Sequence, residues 1–106
     1  METQAKALAR AAQTAAETIA TDSSGSYENV TTAEINKHEP SIGIVASATT
    51  AYLSAASGGK NEFSVTAKAA DGDEFKISRS AEAVVSRACV SPVTKTGCGG
   101  AEKGIW

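Results

Sequence analysis

Aromatic and large aliphatic side chains are scarce in this sequence. It has two Phe, two Tyr and one Trp, too few and too scattered to make a stacking platform for nucleic acid. Leu, Ile, Val and Phe together number 17, against 21 Ala. So low a fraction signals disorder when the net charge is large. Here the charge is −2, and the composition predicts one folded domain with a thin core that needs a crosslink or a partner. With one His and two Cys, no nucleophile–base pair or metal set can be assembled, so the expectation is no enzyme, no cofactor and no metal. Ten Lys and Arg against twelve Asp and Glu, spread along the chain, exclude the electrostatic footprint of a nucleic-acid or anionic-membrane binder. No apolar run reaches bilayer length, and no signal peptide is present.

What is abundant is alanine, concentrated at the start. Glu2–Thr21, ETQAKALARAAQTAAETIAT, has no Gly or Pro and seven Ala between Ala5 and Ala16. It predicts one helix over 2–21, the spine of the domain. Ala5, Leu8, Ala12, Ala15 and Ile19 recur at spacings of three and four, so they line one face. That face is mostly methyl groups, and whatever packs there must approach closely. Glu2, Lys6, Arg10, Gln13 and Glu17 line the opposite face. The helix begins without a capping sequence, which fits a cut made inside a longer helix. TDSSGS ends it near Asp22–Gly25, with Gly25 able to take positive φ. Thr31 or Thr32 then caps a short helix, TAEINKHE, with Glu34 placed for a capping box from Thr31. Pro40 stops it. Residues 41–50 read as a loop or an irregular edge strand.

Alternation predicts four strands. Residues 51–56 form the first and SGGK the turn after it. In the second, 62–69, Phe63, Val65, Ala67 and Ala69 alternate with Glu62, Ser64, Thr66 and Lys68. Asp71-Gly72 turns the chain into the third, 74–78, where Phe75 and Ile77 share a face. The fourth is 84–90, and its register stays open because Val84 and Val85 point to opposite faces. Short connections predict an antiparallel meander. Its apolar face should lie on the helix, joining Ala5, Leu8, Ala12, Ala15 and Ile19 to Phe63, Val65, Phe75 and Ile77.

Pro92, Gly97, Gly99, Gly100 and Gly104 break the tail from 91 to 106. Cys89 ends the last strand and Cys98 lies in TGCGG. The pair lacks CxxC spacing and a neighbouring His, so a structural disulfide is read ahead of a metal or redox pair. It implies an oxidising compartment. By chain entropy it would contribute about 2.7 kcal/mol. The fold class is thus α+β: a long N-terminal α-helix packed on a four-stranded antiparallel β-meander, with a disulfide-closed C-terminal loop. The single domain divides into a helical spine (1–21), a connection with a short helix (22–50), the sheet (51–90) and a disulfide-bounded tail (91–106).

This plan resembles the head domains of type IV pilins. The run AKALARAAQTAAETIATDSSGSYENVTTAEINKHEPSI is similar to bacterial type IV pilins and pseudopilins. In those, an Ala-rich helix with a Lys and an Arg leads through a Ser/Asn/Gly turn into Gly-x-Tyr, here Gly25-Ser26-Tyr27. The segments GDEFKISRS and VVSRAC, and a Cys-Gly-Gly tail ending in Trp106, resemble actinobacterial-type pilin-like proteins. The resemblance covers nearly the whole chain, and the order of elements carries most of its weight. It implies a structural subunit of an extracellular, cell-surface filament. The precursor would be anchored in the inner membrane by an apolar half-helix, cleaved by a prepilin peptidase and assembled by an ATPase-driven machine, helices inward. This sequence holds neither a leader site nor that half-helix, so it is read as the soluble head, touching a membrane only through the missing segment. Lys6, Arg10 and Glu17 are then candidates for contact with neighbouring subunits. A minor pseudopilin of a type II secretion or DNA-uptake system is the alternative that keeps the fold. A small secreted binding module stapled by one disulfide is the alternative that does not.

Other motifs read blandly. His38, beside Glu39, lacks convergent partners and reads as solvated. Asn29-Val30-Thr31 matches the N-glycosylation pattern and reads as coincidence. Gly58-Gly59-Lys60 lacks the earlier Gly, the following Ser/Thr and the helix of a phosphate loop.

Overall fold

A computed structural model describes residues 2–46, 49–70 and 72–90. Helix α1 runs Glu2–Asp22, helix α2 Thr32–His38, and strands β1 to β4 cover Tyr52–Gly58, Phe63–Lys68, Glu74–Arg79 and Val85–Val90. The strands pair in the order β1-β2-β3-β4, every pair antiparallel.

The end of α1 shows why the helix stops. Ser24 and Gly25 both take positive φ, 59° and 90°. The Gly25 N–H then reaches back to the Ala20 carbonyl at 2.6 Å, a closure that satisfies one of the orphaned carbonyls of the last turn. Helix α2 starts on Thr31, which is extended (φ −141°, ψ 165°) and accepts the Glu34 N–H at 3.1 Å through its hydroxyl. Residues 41–46 form no strand. The carbonyl of Gly43 nonetheless accepts the Leu53 N–H at 2.7 Å, so this loop runs beside the outer edge of β1. Gln4 ties the other end, its Oε1 accepting the Ala51 N–H at 3.1 Å.

The β1–β2 register slips between Leu53 and Ala55, and the extra residue, Ser54, donates its hydroxyl to the Thr66 carbonyl at 3.3 Å. The open register of the fourth strand resolves as Val85 opposite Arg79 and Cys89 opposite Phe75. Val84 falls in the preceding turn. That turn holds Ala83 in the left-handed region, φ 68°, which costs an L-residue about 1–2 kcal/mol. Ala83→Gly is therefore expected to raise stability by about 0.5 kcal/mol, the relief of strain exceeding the extra chain entropy of glycine. The urea midpoint measures it.

Helix α1 lies on β1, β2 and β3, and α2 packs against α1 and β1. Ala5, Ala9, Ala12 and Ala16 are wholly buried, with Ala15, Ile19 and Ala20 beside them. Leu8 is only half-buried at the margin. The buried stripe is thus turned about 40° around the helix from the one that spacing picked, at 100° per residue. Alanine spacing cannot locate the centre of a face when alanines also stand on both sides of it.

The expected fold class is corrected at its C-terminal end. The described fold is a small α+β domain of one long helix, one short helix and a four-stranded antiparallel sheet. A disulfide-closed C-terminal loop of the pilin type is not part of it. Cys89 is the only cysteine among the described residues. Cys98, Trp106 and the whole expected tail, 91–106, lie outside them. The expectation of a thin core came from counting large aliphatic residues only. Nine of the twenty buried apolar residues among those described are alanines, and they let α1 sit close enough for Phe75, Ile77, Val65 and Leu53 to be covered almost completely.

Candidate functional site

Polar chemistry gathers first where the second half of α1 meets the end of the sheet. The turn after α1 brings Tyr27 over this end. Its hydroxyl donates to Glu17 Oε1 at 2.5 Å, and its ring lies 4.9 Å from Phe63, tilted 36°. The Arg79 guanidinium stands 5.2 Å from the Tyr27 centroid, and Arg79 Nη1 donates to the Asn61 carbonyl. The Tyr27 carbonyl sits where a Cβ on Gly58 would be, 2.0 Å from it, so a glycine there is a condition of the arrangement.

The Tyr27 phenol is pushed above the ordinary tyrosine range, chiefly by burial, then by its hydrogen bond to Glu17 and the charge of that carboxylate, with Arg79 pulling the other way. A raised folded-state value means stability that is fully present below about pH 10, where the unfolded phenol titrates, and is lost as pH rises through the folded value. Tyr27→Phe is expected to cost about 1 kcal/mol at neutral pH. It should also remove the part of the alkaline destabilisation that belongs to this phenol. Urea unfolding followed from neutral pH into the tyrosine range checks both.

The second surface is the side of α1 turned away from the sheet. Of the three candidate interface residues, Arg10 and Glu17 are exposed. Lys6 is half-buried, its Nζ 5.5 Å from the centroid of Phe75. Glu17 is held by Tyr27. The three do not form one cluster. On that side α1 exposes, among others, the small residues Ala7, Ala11, Thr14 and Thr18. A groove of about 320 Å³ runs between this side and the end of α2, with His38 and Glu39 across from Ala11 and Thr18. The Thr14 and Thr18 hydroxyls donate to the Arg10 and Thr14 carbonyls at 3.3 and 3.2 Å.

His38 is exposed, and no group of three His, Cys, Asp or Glu that could hold a metal occurs among the described residues. Asn29 and Thr31 are used locally, Asn29 Nδ2 donating to Ser23 Oγ at 3.0 Å and Thr31 capping α2. The sheet core unites Phe63, Val65, Phe75 and Ile77 with Ala5, Ala12, Ala15 and Ile19. Cys89 is buried opposite Phe75; its expected partner, Cys98, lies outside the described residues. Two features had no reading in the sequence. Asp73, in the β2–β3 turn, is 1% exposed; a turn signal marks the place but not the burial. A row of serines also crosses the outer face of the sheet, visible only once the strands are in register.

No helix among the described residues is long and apolar enough to cross a membrane. No protein-family model, no curated protein and no solved structure matches this chain.

Proposed function

We propose that this chain is the head domain of a structural subunit of a type IV pilus or pilus-like filament, displayed at the cell surface. The observation that carries the reading is the two-sidedness of α1. One side is committed to the sheet through Ala5, Ala9, Ala12 and Ala16. The other exposes Ala7, Ala11, Thr14 and Thr18 over about three turns. Small side chains on a long helix permit close approach of another helix. The subunit would self-assemble through this side, delivered by a pilus assembly machine.

An antibody raised against this chain should decorate filaments in electron micrographs of the source cells. Ala11→Arg, on the exposed side and outside the core, should abolish those filaments while the isolated head keeps its melting temperature. Arg10→Glu is a cleaner charge test than a double change with Lys6→Glu, which would also strip the cation from Phe75. Filaments that persist with Ala11→Arg, or label confined to a secreted monomer, would sink the reading.

A further inference from the structure

We propose that the outer face of the sheet, at the end marked by the β1–β2 turn, is a shallow carbohydrate-binding groove. Ser57, Ser64, Ser78 and Ser86 stand one on each strand and in register, Ser57 opposite Ser64, Ser64 opposite Ser78 and Ser78 opposite Ser86. All four line one cavity of about 510 Å³. They alternate with Phe63, Val65 and Ile77, which face the helix and are buried, so the serines lie on the opposite face. Strands about 4.8 Å apart make a hydroxyl row roughly 14 Å long. Each hydroxyl offers one donor and two acceptor sites, and none of the four enters a side-chain hydrogen bond among the described residues. Ser64 and Ser78 are half-buried in the middle of the row, and Ser57 and Ser86 are exposed at its ends.

The rest of the lining narrows the ligand. Glu62 and Arg79 stand at one end and cancel in formal charge. The Arg79 guanidinium is already held over Tyr27 and by the Asn61 carbonyl. There is no surplus positive field to favour phosphate or another anion. Phe63 is 2% exposed and offers no apolar anchor for a lipid or a hydrophobic peptide. Gly58 and Gly59 leave the groove end without side chains, and the Glu62 carboxylate folds over Gly59, where a Cβ would lie 1.7 Å from Oε1. A carboxylate beside a row of hydroxyls is matched by a neutral molecule rich in vicinal hydroxyls, a short oligosaccharide laid along the row. This inference stands apart from filament assembly and concerns the isolated chain.

The test is amide chemical-shift mapping of the full chain titrated with maltotriose, with cellotriose and with inorganic phosphate. The expected result is saturable, millimolar binding of at least one trisaccharide, with shifts confined to the residues around Ser57, Ser64, Ser78 and Ser86. Ser64→Val with Ser78→Val keeps strand-forming residues at exposed-face positions and should weaken binding by about tenfold, the worth of the two lost hydrogen bonds. Ser64→Thr with Ser78→Thr retains the hydroxyls and should retain binding. The proposal is overturned if neither sugar gives saturable shifts, if phosphate alone does, if the shifts map elsewhere, or if the double valine variant binds as well as the parent.

Discussion

Phe75→Ala is expected to lower the unfolding free energy by about 3–5 kcal/mol, the usual cost of emptying a large aromatic site in a core. Phe75 is 0% exposed and heads the fully buried side chains by volume. It sits in the third strand between Ala67 on one side and Cys89 on the other, with the Lys6 ammonium over its ring. Alanines cannot move in to fill the space, because their backbone is already held at close range. With stabilities of about 5–15 kcal/mol typical of whole domains, the variant should be close to unfolding at ambient temperature. Urea titration checks this, and the denaturant slope should stay unchanged if only stability is altered. Lys6→Met separates the cation from the cover it provides. It keeps the apolar stem and should cost no more than about 1 kcal/mol. A Phe75→Ala cost below that of Lys6→Met would mean the ring is not the keystone of this core.

Gly58→Ala should be nearly as damaging, although it adds a single methyl group. The new Cβ would stand 2.0 Å from the Tyr27 carbonyl oxygen and 2.9 Å from its carbon, and main chain cannot rotate out of the way. Overpacking costs about 1–3 kcal/mol when side chains can adjust, and this contact should reach the upper end. Its effect should spread, because moving Tyr27 disturbs its bond to Glu17, its stack on Phe63 and the Arg79 contact. Loss of the near-ultraviolet tyrosine signal together with a lower melting temperature is the expected result. Two glycines are the controls. An added Cβ at Gly43 would meet nothing within 4 Å, and one at Gly59 would meet only the end of the Glu62 side chain. Gly43→Ala and Gly59→Ala should therefore shift the melting temperature little. Equal losses at Gly43 and Gly58 would contradict the steric account.

Both effects arise at places the sequence marks only in part. Phe75 could be assigned to a buried strand face from its alternation with Glu74 and Lys76, since a period of two is a local property. The cap on α2 was equally readable, because Thr31 and Glu34 interact across three residues whatever the rest of the chain does. Gly58 read only as part of a turn, since its constraint comes from Tyr27, 31 residues earlier. Lys6 and Glu17 read as an outward charged row, yet long side chains at the margin of a buried stripe can reach back over it. The rotation of α1 by less than half a residue's turn decided that. The serine row belongs to the same class, for four residues spread from 57 to 86 become neighbours only through three strand registers.

By itself, then, the sequence determined what depends on neighbours along the chain. A run without Gly or Pro made α1, Ser24 and Gly25 ended it, and alternation with short turns made four antiparallel strands. The tertiary structure alone decided which alanines are buried, which charges serve the head, and which hydroxyls align on its outer face. The physical reason is that backbone propensity and capping act within a turn or a hairpin. Packing, by contrast, selects among faces that are locally almost equivalent, and an alanine-rich helix offers several.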